Sequence, residues 1–216
     1  MNKEQFINEL KQLKIICTEE NLEKLNLFYL FLIKWNKKIN LTTIIEEESV
    51  YLKHFYDSLT ATKIVDFNNV EFVLDVGTGA GFPGIILKIF YPHLKLTLVD
   101  SLLKRVNYLK LVIEELSLSD INVIHSRIED LNKVTKTKYD IVISRALAKM
   151  PILIMWLTPY ISKTGKIICM KANVEEELKQ SQDVLVANHL KISNIMSFHL
   201  PYEESIRNLI EISKIN

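Results

Sequence analysis

The chain is poor in several residue types, and each scarcity excludes a class of protein. Its 216 residues include two cysteines, Cys17 and Cys169, which are too few for a disulfide framework and match no metal-ligand spacing. We therefore expect two buried thiols and no metal. The longest apolar run, Leu27 to Ile33, is far shorter than the roughly 20 residues that cross a bilayer. The N-terminal residues carry mixed charge, unlike a secretory signal, so we expect a cytoplasmic protein without a membrane partner.

An excess of charge of one sign is also missing. The net charge of +1 argues against a protein held to nucleic acid by bulk electrostatics. Residues 131–171 are an exception, because they contain eight basic residues and one acidic residue. Lys149 and Lys171 in this segment follow predicted strands, so we expect them at the rim of a cleft, as substrate-binding residues.

Glycine is scarce, and its distribution is the most informative feature of the chain. Four of the five glycines lie between Gly77 and Gly84, where an apolar run ends and a helical pattern begins. Glycine tolerates positive φ angles and lets a ligand approach the backbone. The free N–H groups of a helix that starts here would favour an anionic group. This cluster predicts a site for a nucleotide-like cofactor.

The periodicity of apolar residues divides the chain into two parts. Residues 1–66 show helical spacing, with Thr18 as the N-cap of a second helix and a third helix from about Glu47 to Thr60. Residues 67–216 alternate short apolar runs with helical stretches, which is typical of a parallel sheet wrapped by helices. The predicted strands are Phe72 to Val76, Lys95 to Asp100, Asn122 to His125, Asp140 to Ser144, Lys166 to Met170, Ile192 to Phe198 and Asn208 to Ile212. The predicted helices between them are Pro83 to Phe90, Lys104 to Leu116, Met150 to Thr158 and Val174 to Asn188.

The expected fold class is therefore α/β. It comprises a seven-stranded, mostly parallel sheet with helices on both faces, a terminal antiparallel hairpin and an N-terminal helical extension. Such sheets bind ligands outside the carboxyl ends of their strands.

Two acidic residues accompany the glycine turn. Asp100 ends the second strand, near the spacing at which a carboxylate accepts hydrogen bonds from a ribose diol. Nicotinamide dinucleotide and S-adenosylmethionine both satisfy this pattern. Asp75 precedes Gly77 and favours S-adenosylmethionine, since its carboxylate would attract the ammonium group of a methionine moiety and repel a pyrophosphate. Alternatively, Asp75 caps the loop through backbone N–H groups.

Several segments together carry a specific resemblance. They are Asp75 to Gly84, Val99-Asp100-Ser101 with Lys104-Arg105, Arg127-Ile128-Glu129, Ser144-Arg145-Ala146, Asn40-Leu41-Thr42 and His54 to Leu59. These segments resemble the bacterial 16S ribosomal RNA guanine-N7 methyltransferases, also called the glucose-inhibited division protein B family. The resemblance implies a Rossmann-like class I methyltransferase fold and S-adenosylmethionine as the cofactor.

The resemblance also assigns residues. It implies that Gly77 and Phe82 line the cofactor site, to which the turn itself already assigned Asp75, Gly79 and Asp100. It places Ile128 and Glu129 around the adenine and His54 on the substrate side, and Arg145 closes the site from the fourth strand. We also expect Arg145 to bind the substrate, because an accessible guanine can stack on an arginine. Each of these residues also has a structural alternative. Phe82 could belong to the core, and Glu129 could be a carboxylate at the start of a helix. Arg145 could pair with Asp57, or His54 and Asp57 could together fasten the helical extension to the sheet.

The activity implied by the resemblance is methylation of a guanine N7 in 16S ribosomal RNA. The sequence leaves open whether this RNA is naked or in an assembling small subunit, and we expect a monomer. N7 carries a lone pair and no proton, so no catalytic acid or base is expected, and the sequence contains no paired acids and no activated nucleophile. The alternatives are a nicotinamide-dependent oxidoreductase and a non-catalytic RNA-binding module.

Overall fold

The computed structural model describes residues 1–215. Its N-terminal part is helical, as expected, with α1 at Lys3–Gln12 and α2 at Glu19–Ile39. The Thr18 side chain accepts a hydrogen bond from the backbone N–H of Asn21, which confirms the predicted N-cap of α2. The helix ends where Asn40 adopts a left-handed conformation.

The predicted third helix forms, but its type changes along its length. It begins as α3 (Glu47–Val50), widens into a π-helical segment at Tyr51–Tyr56, continues as α4 (Asp57–Leu59) and tightens into a 3-10 turn at Thr60–Lys63. π-helical turns are rare and frequently occur at functional sites. A second 3-10 turn at Phe67–Asn69 leads into the sheet.

All seven predicted strands are present. They are β1 (Phe72–Val76), β2 (Lys95–Asp100), β3 (Ile121–His125), β4 (Tyr139–Arg145), β5 (Ile161–Lys171), β6 (Leu190–His199) and β7 (Ile206–Lys214). They form one sheet in the order β3-β2-β1-β4-β5-β7-β6. The first five strands are parallel, and β7 runs antiparallel to both β5 and β6. The α/β fold class is confirmed, including the terminal hairpin.

Helices connect the strands and cover both faces of the sheet. They are α5 (Gly84–Phe90), α6 (Leu103–Glu115), α7 (Met150–Leu157), α8 (Glu175–Gln180) and α9 (Gln182–Ala187). The single helix expected at Val174 to Asn188 is interrupted at Ser181, whose buried hydroxyl donates to the carbonyl oxygen of Glu177. Such a bond offers the backbone an alternative to the helical ladder.

Two apolar cores lie on opposite faces of the sheet, because successive strand residues point to opposite sides. Val73 of β1 packs in the core that includes α1, α2, α5 and α6, whereas the next residue, Leu74, packs in the core that includes α7. Covering both faces in this way allows a parallel sheet to be buried. Among residues 1–215, no helix combines the length and the hydropathy needed to cross a bilayer.

Candidate cofactor and substrate site

The glycine turn joins β1 to α5 at the carboxyl edge of the sheet. Gly77, Gly79 and Gly81 have φ angles of +71°, +60° and +102°, which side chains other than glycine rarely adopt. Gly84 is needed for a different reason. A Cβ atom there would lie 2.7 Å from Oδ2 of Asp75, so the strand and the start of the helix meet only without a side chain.

Asp75 lies behind this turn and not on the wall of a cavity. Its carboxylate is completely buried, and Oδ2 accepts hydrogen bonds from the Thr78 hydroxyl at 2.7 Å and the Gly84 N–H at 2.8 Å. Burial raises the pKa of this carboxyl to about 6. The structure thus places Asp75 in the loop-capping position of the alternative, and direct contact with a methionine ammonium stays a prediction.

Asp100 holds the turn from the neighbouring strand. Its Oδ2 accepts a hydrogen bond from the Gly79 N–H at 3.0 Å, and its Oδ1 accepts one from the Leu102 N–H at 2.9 Å. Arg105 places Nη1 3.5 Å from Oδ2. A carboxylate has about four acceptor positions, so this one retains capacity for a ligand. Gly79 donates its backbone N–H to this carboxylate.

A cavity of about 400 Å³ opens beside Asp100 at the carboxyl ends of β1, β2 and β4. This volume lies within the range of about 300–1,000 Å³ for small-molecule sites. Five of the predicted site residues line it: Gly77, Asp100, Ile128, Glu129 and Arg145. Its wall also contains residues for which the sequence analysis assigned no cofactor role, including Leu147 and Trp156.

Phe82 does not line this cavity. Its ring is 4% exposed and packs 5.3 Å from the ring of Phe28 in the apolar core. The His54 ring stacks on it at 4.5 Å, and the Arg145 guanidinium lies 5.3 Å from its centroid. The structure places Phe82 in the core, as the structural alternative expects, where its ring contacts the side chains of His54 and Arg145. Its contact with a cofactor stays a prediction.

Arg145 is the centre of a polar network between the sheet and the helical segment. Its Nη1 donates to Oδ2 of Asp57 at 3.1 Å and to the carbonyl oxygen of Lys53 at 3.1 Å. Arg207 of β7 donates from Nε to Oδ1 of the same Asp57 at 3.0 Å. One buried carboxylate therefore joins β4, β7 and the segment that precedes the sheet.

His54 completes this network as a neutral side chain. Burial, with a smaller contribution from the Arg145 charge, lowers the pKa of His54 to about 3. Arg145 Nη2 lies 3.3 Å from Nδ1, and Thr42 Oγ1 lies 2.9 Å from Nε2. Because an arginine can only donate, Nδ1 accepts and the ring proton resides on Nε2.

A second cavity of about 550 Å³ adjoins the first and shares Arg145 and Ala146 with it. Three predicted substrate-binding residues, His54, Lys171 and Arg145, line this second cavity. Lys149 lies apart from them and is exposed on a neighbouring groove next to α8. Glu177 and Arg207 also line the second cavity, although the sequence analysis assigned no role to either.

The two cysteines differ in how deeply they are buried. Cys169 is buried as expected, whereas Cys17 is only half-buried. Within residues 1–215, no group of three or more His, Cys, Asp and Glu side chains is placed to hold a metal ion.

Comparison with known proteins identifies the family. The family model for rRNA small subunit methyltransferase G matches residues 21–209, most of the chain. The chain belongs to the rRNA small subunit methyltransferase G family. The family expected from the sequence motifs is thereby confirmed.

Members of the rRNA small subunit methyltransferase G family align over almost all of the chain. The protein named ribosomal RNA small subunit methyltransferase G from Bacillus subtilis (strain 168) is 44% identical over 218 residues, which cover 100% of this chain and 91% of the relative. The protein of the same name from Listeria welshimeri is 42% identical and covers 99% and 91%.

Solved structures show the same fold at low identity. A ribosomal protein L11 methylase from Lactobacillus delbrueckii subsp. bulgaricus superimposes with a TM-score of 0.57 and 17% identity, covering 76% of this chain and 79% of that one. A mutant of MtNAS in complex with S-adenosylmethionine gives 0.60 and 17%, covering 91% and 76%. The methyltransferase fold predicted for this family member is confirmed.

Proposed function

We propose that the protein transfers the methyl group of S-adenosylmethionine to N7 of a guanine in small-subunit ribosomal RNA. Family membership supports the reaction, and the pair of adjoining cavities at the carboxyl edge of the sheet supports the location. The observation that carries the proposal is that Arg145 borders both cavities. A donor and an acceptor bound on either side of Arg145 would meet there.

The first cavity suits S-adenosylmethionine. Asp100 offers acceptor positions to a ribose diol, and the apolar wall formed by Ile128 and Trp156 suits an adenine ring, with Glu129 at its exposed edge. Gly77 keeps the cavity open, since a Cβ atom there would lie 2.6 Å from Leu147 Cδ1. When bound, S-adenosylmethionine supplies an electrophilic methyl group on a sulfonium.

The chain's own residues would contribute alignment and not proton transfer. The lone pair of guanine N7 lies in the ring plane and carries no proton, so the reaction needs no general base. Neutral His54 and the paired Asp57 fit a positioning role, because both fix Arg145. Alignment of two reactants at near-attack distance contributes on the order of 7–11 kcal/mol.

The RNA must present a guanine that is outside a base stack, since a base within a duplex cannot enter a cavity of about 550 Å³. Lys171 in the second cavity and Lys149 on the neighbouring groove are the side chains that we assign to the RNA. His54 lines the second cavity as well, but both of its ring nitrogens are engaged, so it would shape the substrate side through its ring and through Arg145. We further propose that the partner is 16S ribosomal RNA, either free or in an assembling subunit. We propose that the enzyme is a monomer in the cytoplasm. Residues 1–66 would form an extension of the methyltransferase domain at residues 67–216.

The strand order distinguishes a methyltransferase from a protein that binds a nicotinamide dinucleotide. A dinucleotide-binding sheet has six parallel strands in the order 3-2-1-4-5-6. Here the antiparallel β7 lies between β5 and β6. The geometry therefore favours the methyltransferase over the nicotinamide-dependent oxidoreductase that the glycine spacing also allowed.

Two assays on the purified protein test the proposal. Calorimetric titration should detect S-adenosylhomocysteine binding and no heat with NADH. Incubation with radiolabelled S-adenosylmethionine and small-subunit ribosomal RNA from cells that lack this gene should label the RNA, and digestion should place the label in 7-methylguanosine. Label in another nucleoside would disprove the N7 assignment, and RNA binding without cofactor binding would instead support a non-catalytic module.

A further inference from the structure

Glu177 is the acidic side chain in the second cavity that has an oxygen to spare. Its Oε2 accepts a hydrogen bond from the backbone N–H of Met150 at 2.6 Å and pairs with Lys171 Nζ at 2.7 Å. No hydrogen bond to Oε1 forms within residues 1–215. The other acid in this cavity, Asp57, has both oxygens engaged, because each of them binds an arginine.

The donors in the cavity also retain capacity. Lys171 has three N–H groups and uses two, one on the Ala148 carbonyl oxygen and one on Glu177. Arg145 has five N–H groups, and its known partners Lys53, Asp57 and His54 use three of them. The cavity therefore offers one unused carboxylate oxygen on one side and unused donors beside it.

This pattern complements one edge of guanine, which carries adjacent N1–H and N2 amino donors next to the O6 acceptor. We propose, building on the function above, that the second cavity holds the extruded guanine, with Glu177 Oε1 accepting from N1–H and the N2 amino group and Arg145 donating to O6. Enzymes that act on an extruded base commonly read this edge by hydrogen bonds.

The positions of the two residues set the direction of the base. Arg145 borders both cavities, whereas Glu177 lines the second cavity and the neighbouring groove but not the first cavity. In guanine, O6 lies between the N1 edge and N7. A base held by Glu177 at N1 and by Arg145 at O6 therefore turns N7 towards the first cavity, where the methyl donor would lie.

The same arrangement discriminates against adenine. Adenine has a lone pair at N1, which would face the Glu177 carboxylate, and an amino donor at C6, which would face the Arg145 guanidinium. Sites built to hydrogen-bond a substrate group reject analogues that leave buried polar groups unpaired. Glu177 is thus proposed as the residue that makes the site specific for guanine.

The test compares guanine with inosine, which lacks only the N2 amino group. The position that the wild-type protein methylates is first mapped, and RNA carrying guanine or inosine there is then assayed with wild type, Glu177→Gln and Glu177→Ala. The control is Glu176→Gln, which changes an exposed neighbour outside the second cavity. Calorimetry with S-adenosylhomocysteine shows that each variant is folded and binds the cofactor.

We expect wild type and Glu176→Gln to prefer guanine over inosine by about 10-fold or more in kcat/KM, as for loss of a hydrogen bond to a charged group. Glu177→Ala should reduce that preference to nearly 1, with Glu177→Gln in between. A purely structural role would lower both rates equally and keep the ratio, which would overturn the proposal. Equal wild-type rates on guanine and inosine would overturn it too, while methylation of guanine would leave the proposed function intact.

Discussion

Asp57 Oδ2 accepts a hydrogen bond from Arg145 Nη1 at 3.1 Å, across 88 residues of sequence. This pair fastens the helical segment to the edge of the sheet where both cavities open. The sequence offered two alternative roles for Arg145, a structural pair with Asp57 and a place in the site. The structure shows that Arg145 pairs with Asp57 and also lines both cavities. The stability of the fold and the geometry of the site are therefore linked through one carboxylate.

Replacement of Asp57 should destabilise the protein. Asp57→Asn leaves Arg145 and Arg207 facing each other without a countercharge, and breaking a buried pair costs roughly 3–5 kcal/mol. Both arginines keep some solvent contact, so we expect about 3 kcal/mol in urea unfolding. Asp130→Asn is the control, because the pair that Asp130 forms with Lys133 lies on the surface and its loss should hardly change stability. Equal effects for the two variants would contradict the account.

His54 should remain neutral well below neutral pH. Its pKa is lowered to about 3, so the unfolded chain takes up a proton at mildly acidic pH that the folded chain does not. The contribution of neutral His54 to the free energy of unfolding is therefore complete above about pH 6.5 and is lost as the pH falls. The difference in unfolding free energy between wild type and His54→Gln should shrink by about 1.4 kcal/mol per pH unit between about pH 6 and 4.

The difference in unfolding free energy between wild type and His54→Gln must be measured, and not the stability of wild type alone. The reason is that Asp75 changes the stability of wild type with pH in the opposite direction. Burial raises its pKa to about 6, so its contribution is greatest at low pH and declines as the pH rises from about 4 to 6. In wild type the two effects partly cancel. A pH-independent difference between wild type and His54→Gln would show that His54 titrates as it does in the unfolded chain.

The turn glycines should differ in the reason they are required. Gly79→Ala should cost about 1–2 kcal/mol through its positive φ alone, since the nearest atom to a Cβ would be 3.9 Å away. Gly79→Asn should recover part of this loss, because asparagine tolerates the left-handed region. At Gly84, which clashes with Asp75 and Leu98, asparagine should be at least as harmful as alanine. Thermal unfolding of the four variants tests this, and rescue by asparagine at both positions would contradict it.

Asp100 should control cofactor affinity. Asp100→Asn removes the charge with little change in size, and loss of charge-assisted hydrogen bonds should weaken S-adenosylhomocysteine binding about 10- to 100-fold in calorimetry. Asp120→Asn, at the start of β3 on the opposite edge of the sheet, is the control and should leave affinity unchanged. Unchanged affinity in Asp100→Asn would remove Asp100 from the cofactor site.

The sequence predicted the framework of the fold well because its signals are local. The bounds of β1 and β2 match the predicted residues, since each is a short apolar run that ends at the glycine turn or at Asp100. The terminal hairpin followed from two adjacent strand patterns without a helix between them. The break at Ser181 could not be predicted, because it depends on a single side-chain hydrogen bond.

The site was predicted less completely because several of its features depend on packing. The direction of the Phe82 ring is set by Phe28, which is distant in sequence. Trp156 lies on a helix that is apolar on all sides, so no periodic signal marks it. Glu177 belongs to an acidic run that is typical of a solvated helix start, and only its bonds to Met150 and Lys171 distinguish it.

The central claim is that this protein methylates guanine N7 in small-subunit ribosomal RNA. The most direct measurement is nucleoside mass spectrometry of 16S ribosomal RNA from cells that lack the gene, with and without a plasmid copy of the wild-type protein. We expect one 7-methylguanosine per 16S molecule to disappear in the deletion strain and to return with the plasmid. An undiminished amount of 7-methylguanosine in the deletion strain would contradict it.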